Sequence, residues 1–174
     1  MSPDGPAMGA VEQVRARSFE WADPALLAAG SDGLPGLATM QAILEGTLPP
    51  PPIASALGMS IVEVGPGRAV FAVEPAEWMY NPLGSVHGGI AATLLDSCMG
   101  CAVHTTLDAG VGYTTTDLQV RYLRGIRAGA GRVLAEGHVV HGGRRTATAE
   151  GRLYLEDDPQ VLFAHASTGC VILR

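Results

Sequence analysis

The chain has 174 residues, with 17 acidic and 11 basic side chains, a formal net charge of −6 and a pI near 5.2. This length fits one domain with its own core, and the acidic balance argues against a nucleic-acid partner, which needs a dense basic surface. Three cysteines at no framework spacing argue against a disulfide-built secreted domain, so we expect a cytoplasmic protein. The apolar run at 88–107 carries polar residues and an aspartate, so we expect no membrane association.

Residues 1 to about 35 are rich in glycine, proline, alanine and charge, which predicts a partly ordered tail. A short helix is expected at 37–45, where Gly46 stops it. The four prolines at 49–52 predict a stiff, extended connector, since proline cannot continue a helix. We therefore expect an N-terminal tail with a short helix at 1–50 and one folded domain at 51–174.

Hydrophobic periodicity predicts the elements of this domain. Strand-like runs at 61–64 and 68–73 flank a Gly-Pro-Gly turn and predict a hairpin. A long apolar helix follows, and three later segments alternate with the period of half-buried strands, at 117–122, 132–139 and 146–155. The segment at 161–173 is expected to form a last strand, so the order is two strands, one helix and four strands.

The long helix is apolar nearly all round, so it must be enclosed, and an antiparallel sheet is the only large element available to enclose it. The sequence therefore predicts an α+β fold in which a curved antiparallel sheet wraps around one central helix, with an N-terminal helical extension. Strands and helices do not alternate along the chain, which disfavours a doubly wound nucleotide-binding fold.

One carboxylate lies inside this helix. Asp96 is the single charged residue between His87 and Asp108, and an acid in apolar surroundings needs a compensating interaction. It could be a general base or a nucleophile. The alternative is a structural acid that is hydrogen-bonded to neighbouring backbone, to Ser97 or to a partner subunit.

The helix opens on a glycine pair. The first N–H groups of a helix have no partner within it, so those at Gly88 and Gly89 could stabilise an oxyanion. They could equally accommodate a tight joint between loop and helix. In the preceding loop, Asn81 could polarise a carbonyl or open a turn, and His87 could transfer a proton or support the loop through hydrogen bonds.

Helix geometry constrains how these groups cooperate. Eight residues separate Gly88 from Asp96, which is about 12 Å along a helix and too far for both to contact one carbonyl. The two groups must then come from different subunits if both act, which predicts a two-fold dimer with two equivalent sites.

Two other patterns favour structural readings. Cys98 and Cys101 have C-x-x-C spacing inside an apolar helix, which is typical of core cysteines. His138 and His141 lack a third metal ligand nearby in sequence and are better read as a solvated turn. We expect neither a metal nor a cofactor.

The stretch at 81–96 resembles the hotdog-fold thioesterase superfamily, in particular its phenylacetate-pathway (PaaI-like) branch. The pattern of that branch is N-x-x-G-x-x-H-G-G, with an acid seven residues after the last glycine, and six positions match: Asn81, Gly84, His87, Gly88, Gly89 and Asp96. The likeness extends from about residue 51 to 173, including the L-x-V-x-Y-L-R run at 118–124 and the G-R-R turn at 143–145.

The resemblance implies hydrolysis of an acyl-CoA thioester at a dimer interface. The Gly88 amide and the Asn81 side chain of one subunit would bind the carbonyl, while Asp96 of the other would activate water or attack directly. His87 would order the loop. Thr115 is the best placed of three consecutive threonines to hold the water. The partners implied are an acyl-CoA substrate and a second copy of the chain, as a homodimer or a dimer of dimers.

Further residues are candidates for substrate contact. The phosphates of CoA could bind Arg124, Arg144 and Arg145, or these could be solvated arginines at strand ends. Gly89 would contribute to the carbonyl site. The acyl pocket is expected to involve Ile90, Leu94, Met99 and residues 78–80.

Two alternatives to an acyl-CoA thioesterase remain. A non-catalytic acyl-CoA binding or sensing module on the same fold is one, although a pure binder has no need for Asp96. A hydratase or dehydratase is the other, but the catalytic patterns of those enzymes do not match the Gly-Gly helix start.

Overall fold

The computed structural model describes residues 14–174. Four helices lie in this part of the chain: α1 (Pro24–Ser31), α2 (Gly36–Leu44), α3 (Pro52–Leu57) and α4 (Gly88–His104). The strands are β1 (Met59–Gly65), β2 (Arg68–Val73), β3 (Gly112–Tyr122), β4 (Val133–Gly142), β5 (Thr146–Leu155) and β6 (Leu162–Leu173). None of the helices in this part of the chain is long and apolar enough to cross a membrane.

The strands form one antiparallel sheet in the order β1-β2-β4-β5-β6-β3. Helix α4 packs against this sheet and contacts every strand in it. The predicted α+β hotdog architecture, with a sheet around one long central helix and helices at the N-terminus, is confirmed. The predicted order of two strands, one helix and four strands is also confirmed.

A pair of glycines lets α4 approach the sheet closely. Gly137 and Gly151 are cross-strand partners on β4 and β5. A Cβ atom at position 137 would lie 2.4 Å from the Cys98 carbonyl oxygen, and one at position 151 would lie 2.9 Å from the Cγ atom of Met99. At position 137 the clash is with helix backbone, so any side chain there would push the helix outward, and Gly137 sets the distance between helix and sheet. At position 151 the Met99 side chain would have to move.

Strand β3 begins five residues earlier than the sequence predicts. Its pairing with β6 shifts register between Thr115 and Asp117, which is the signature of a bulge. The bulge interrupts the alternation of apolar and polar residues, so the pattern reveals only the half of the strand that follows it.

The N-terminal segment contains more helix than predicted. Residues 24–31, within the predicted partly ordered tail, form α1, because Asp23 caps the helix by accepting from the Ala25 N–H at 2.9 Å and Pro24 occupies its first position. The proline run does not stay extended to its end, because Pro52 begins α3. The rest of the predicted tail, residues 1–13, lies outside the described residues.

Helix α2 is docked on the end of α4 by backbone contact. The Gly36 N–H donates to the Leu107 carbonyl at 3.0 Å. A Cβ at position 36 would lie 1.9 Å from the His104 carbonyl oxygen, so glycine is required for this approach. Helix α2 therefore packs directly against the end of the central helix.

Candidate active site

The loop before α4 is organised around Asn81. Its Oδ1 accepts from the backbone N–H groups of Leu83, at 2.8 Å, and Ser85, at 3.4 Å, while its Nδ2 donates to the Ser85 hydroxyl at 3.1 Å. The side-chain amide has two N–H groups. One of them holds the loop, and the other has no acceptor among the described residues.

His87 caps α4. Its backbone is extended, and its Nδ1 accepts from the Gly89 N–H at 2.9 Å. The Gly89 N–H is therefore used inside the loop, whereas the Gly88 N–H has no acceptor among the described residues. Because Nδ1 is an acceptor here, a neutral imidazole carries its proton on Nε2. The helix start thus offers one free donor, at Gly88.

Tyr122 lies directly over Gly88 and was not among the predicted site residues. Its hydroxyl donates to the Gly88 carbonyl oxygen at 3.0 Å. A Cβ at position 88 would lie 3.1 Å from the Cζ atom of Tyr122. Position 122 belongs to the L-x-V-x-Y-L-R run, but the sequence contains no signal that connects it with a loop 34 residues away.

Three predicted residues share one cleft, which we call the loop cleft. It has a volume of about 330 Å³, and Asn81, Gly88, Tyr122 and Arg124 are among the residues that line it. Two potential hydrogen-bond donors and one cation therefore face the same space.

Asp96 lies farther along α4 and is half-buried. The Thr115 hydroxyl on β3 donates to its Oδ1 at 2.9 Å. Thr115 is thus the threonine that contacts the acid, next to the bulge in β3. Neither residue lines the loop cleft, so a single chain holds the acid apart from the donors.

The predicted phosphate ligands separate into two groups. Arg124 follows β3 near the start of α4, whereas Arg144 and Arg145 lie in the turn between β4 and β5. The Arg145 carbonyl accepts from Ile172, near the opposite end of the sheet. Arg124 therefore cannot meet the other two arginines on one phosphate within a single chain.

The expected acyl-pocket residues are only partly available for substrate contact. Leu94 and Met99 are 1% and 0% exposed and belong to the core around α4, so their predicted place in a substrate pocket is wrong for a single chain. The Met99 side chain faces β5, where its Cγ atom approaches Gly151. Ile90 is half-buried, and Trp78 is exposed.

The three cysteines are free thiols. Cys98 is fully buried, and burial raises its pKa well above the usual range. Burial likewise raises the pKa of Cys101 to about 12. Both thiols stay protonated at neutral pH, which agrees with a structural reading of the C-x-x-C spacing.

Comparison with known proteins identifies the family. Residues 83–162 match the model of the thioesterase superfamily. A curated Halobacterium salinarum protein, whose name proposes an esterase, is 37% identical over 103 residues, which cover 56% of this chain and 66% of that protein. This match therefore leaves about a third of the relative's own length uncovered.

Solved structures agree with this result. A phenylacetic acid degradation-related protein from Ralstonia eutropha JMP134 is 27% identical and superposes with a TM-score of 0.67, over 76% of this chain and 98% of that one. The PaaI protein of E. coli, from the phenylacetic acid degradation operon, shares the fold with a TM-score of 0.69 at 22% identity, over 82% and 96% of the two chains. The predicted hydrolase class is confirmed at the level of the family: the chain belongs to the hotdog-fold thioesterase superfamily and is similar to its PaaI-like members.

Proposed function

We propose that the protein is an acyl-CoA thioesterase in which two subunits share each active site. The observation that carries this proposal is Asp96, the single charged residue in α4, half-buried and held by the Thr115 hydroxyl at 2.9 Å. A carboxylate fixed in this way can accept a proton from water without first reorganising.

In the proposed mechanism, the Gly88 N–H and the unused N–H of Asn81 bind the thioester oxygen. Water attacks the carbonyl carbon while Asp96 takes one of its protons. The C–S bond then breaks, and the proton passes to the sulfur, which gives free acid and CoA thiol. A thiolate with a pKa near ~8.5 leaves readily, so no strong general acid is needed. If Asp96 attacks directly instead, a mixed anhydride forms and water cleaves it.

The sheet supports a dimer. β3 is an edge strand of eleven residues, and no strand in the described part of the chain pairs with its outer side. An open edge of this length is a site for pairing with another chain. Antiparallel pairing of two β3 strands about a two-fold axis would set the Tyr122 end of one subunit beside the Gly112 end of its partner.

This arrangement would also bring the three candidate arginines close together. Arg124 of one subunit and the turn that carries Arg144 and Arg145 in the other would lie at the same end of the joined sheet. Arginine suits phosphate because its planar fork makes two parallel hydrogen bonds. We infer that these three side chains, contributed by both subunits, bind the phosphates of one CoA molecule. We also infer that the enzyme acts in the cytoplasm, where free thiols persist.

Free-thiol release from a panel of aromatic, short and medium acyl-CoAs tests the activity. The wild type should hydrolyse at least one member, and Asp96→Asn should lose most of that rate while it remains folded. If the wild type binds the panel but hydrolyses none of it, the sensing module is correct instead. Full activity of Asp96→Asn would refute the assigned base.

Subunit mixing tests the shared site. Asn81→Ala and Asp96→Asn homodimers each lack one half of both sites, whereas a mixed dimer contains one site with both halves intact. We expect mixing to restore activity as the subunits exchange, up to half of the wild-type rate per heterodimer. A mixture that stays inactive after exchange has been verified by mass spectrometry would argue against sites shared between subunits.

A further inference from the structure

One edge strand, β3, supports both halves of the proposed chemistry. Its Thr115 hydroxyl donates to Asp96 at 2.9 Å, and its Tyr122 hydroxyl donates to the Gly88 carbonyl oxygen at 3.0 Å. The first contact orients the proposed base. The second lies at the helix start that carries the proposed oxyanion donor, and no step of the proposed mechanism uses it.

A bulge in β3 makes this double support possible. Side chains alternate between the two faces of a strand, so residues seven apart, such as Thr115 and Tyr122, should point in opposite directions. The register of β3 against β6 shifts between Thr115 and Asp117, which leaves Thr116 as an extra residue. The bulge reverses the alternation, so both hydroxyls face α4.

The peptide unit between Gly88 and Gly89 is held on both sides. Its carbonyl oxygen, that of Gly88, accepts from Tyr122, and its N–H, that of Gly89, donates to Nδ1 of His87 at 2.9 Å. A peptide unit is planar and trans, so two hydrogen bonds on its opposite edges fix its orientation. We call this pair of contacts the peptide clamp.

The free Gly88 N–H lies in the preceding peptide unit. The carbonyl of that unit, which belongs to His87, accepts from the Ile90 N–H at 2.9 Å. The two units meet at the Cα atom of Gly88, and glycine has more backbone freedom than any other residue. The peptide clamp therefore restricts the joint whose rotation would change the direction of the free N–H.

The missing side chain at Gly88 lets the tyrosine ring reach the backbone. A Cβ at this position would lie 3.1 Å from the Cζ atom and 3.3 Å from the hydroxyl oxygen of Tyr122, both closer than ordinary contacts. Gly88 and Tyr122 line the loop cleft together with Asn81. The hydrogen bond therefore forms in the wall of the cleft that would hold the thioester oxygen.

We propose that Tyr122 is a positioning residue, which holds the Gly88 N–H through the peptide clamp in the direction that binds the thioester oxygen. This inference rests on the proposed thioesterase function. A donor that is already oriented stabilises an oxyanion more than one that must first turn, because no reorganisation accompanies the reaction. Thr115 and Tyr122 would then act in parallel from β3, one on the acid and the other on the donor.

Tyr122→Phe tests this role, because it removes the hydroxyl and keeps the ring. Tyr122 is 56% exposed, so the variant should fold as the wild type does. We expect kcat to fall about three- to tenfold, the value of one neutral hydrogen bond, with KM within about twofold. The loss stays below the roughly 10²-fold of a displaced donor, because the amide remains in the site. An unchanged kcat would overturn the inference and leave the thioesterase proposal intact.

Tyr113→Phe is the matched control. It removes a hydroxyl that also faces α4 from the same strand, but the Tyr113 ring packs on Gly100, about 18 Å along the helix from Gly88. Its kcat should stay within about twofold of the wild-type value. Equal losses in the two variants would overturn the inference, because they would reveal a general effect of strand packing.

The two sides of the peptide clamp should depend on each other. His87→Ala removes the acceptor for the Gly89 N–H, whereas His87→Asn retains one, since asparagine is a favoured helix cap, and should keep most of the lost kcat. Tyr122→Phe combined with His87→Ala should lose less than the product of the two single losses, because either change releases the same peptide unit. Losses that multiply would overturn the shared clamp.

Nuclear magnetic resonance separates this inference from the proposed activity. S-acetonyl-CoA carries a ketone and cannot be hydrolysed, so it reports on the Gly88 N–H without turnover. At saturation it should shift the Gly88 amide proton of the wild type downfield, and Tyr122→Phe should reduce that shift by about half or more. If the wild type hydrolyses no acyl-CoA yet shows this difference, the positioning role holds and the enzymatic proposal fails. Equal shifts in both proteins would overturn the positioning role, whatever the activity.

Discussion

Thr115 donates a hydrogen bond to Asp96 across 2.9 Å, and so joins the edge strand β3 to the middle of the central helix. The acid is thereby oriented by a residue 19 positions away in the sequence. If Asp96 is the base, Thr115 is a positioning residue that sets the direction of its lone pairs.

We expect Asp96→Asn to lower kcat by about 10²–10⁴-fold, because it removes the proton acceptor. Thr115→Val keeps the shape of the side chain but removes the hydroxyl, so it should lower kcat by about tenfold with little change in KM. Steady-state free-thiol assays measure both effects. Thr115→Ser should recover most of the loss, since it restores the donor. Equal losses in Thr115→Val and Thr115→Ser would argue against a role for the hydroxyl.

Gly88→Ala should lower kcat by about 10²-fold, as expected when an oxyanion donor is displaced. The added Cβ would lie 3.1 Å from the Tyr122 ring, so the backbone at position 88 or the ring must move. Gly112→Ala, where a Cβ makes ordinary contacts, is the matched control on the far end of β3. Gly88→Ala with Tyr122→Ala should regain activity if the clash is the cause. A Gly88→Ala enzyme with wild-type kcat would contradict this prediction.

Glu136 should make stability depend on acid pH. Burial alone would raise the pKa of this carboxyl, but hydrogen bonds from Arg68 at 2.7 Å, Arg152 at 2.8 Å and His138 at 2.9 Å outweigh it and lower the pKa to about 2. The folded-state pKa lies below the unfolded value near 4.5, so this stabilisation is complete above pH 4.5. It is lost as the pH falls towards 2. Its size is roughly 3 kcal/mol at most.

The test compares Glu136→Gln with the wild type by urea unfolding at several pH values. At pH 7 the variant should be less stable by about 2–3 kcal/mol, and the difference should shrink steadily between pH 4.5 and pH 2. Glu150→Gln changes an exposed carboxyl and serves as the control. A difference between wild type and Glu136→Gln that stays constant down to pH 2 would contradict the proposed linkage.

Gly36→Ala should destabilise the protein by about 1–3 kcal/mol, in the range of overpacked sites. Its Cβ would overlap the His104 carbonyl at 1.9 Å, and backbone cannot yield as a flexible side chain can. Gly142→Ala is the matched control, because no atom lies within 4 Å of the added carbon. Thermal unfolding followed by circular dichroism measures the change. Identical midpoints for the two variants would show that α2 is not held by this contact.

Local sequence patterns predict most of the fold. The sequence predicts β4 and β5 from their alternation and the enclosed helix α4 from its apolar circumference. Each of these patterns depends on residues that are close together in the chain. The alternation failed at the bulge after Thr115, where one extra residue reverses which face each side chain occupies. Helix α1 is not apparent from the composition of residues 1–35, although Asp23 and Pro24 form a local cap signal.

By itself, the sequence determined the order of elements, the loop of Asn81 and His87, and the isolation of Asp96 in an apolar helix. It also showed, from helix length, that Gly88 and Asp96 lie too far apart to act on one carbonyl. Only the tertiary structure decided which threonine contacts Asp96, that Tyr122 lies over Gly88, and that the bulge in β3 turns Thr115 and Tyr122 towards α4. The physical reason is that periodicity and capping act within a few residues, whereas these contacts join distant segments through packing.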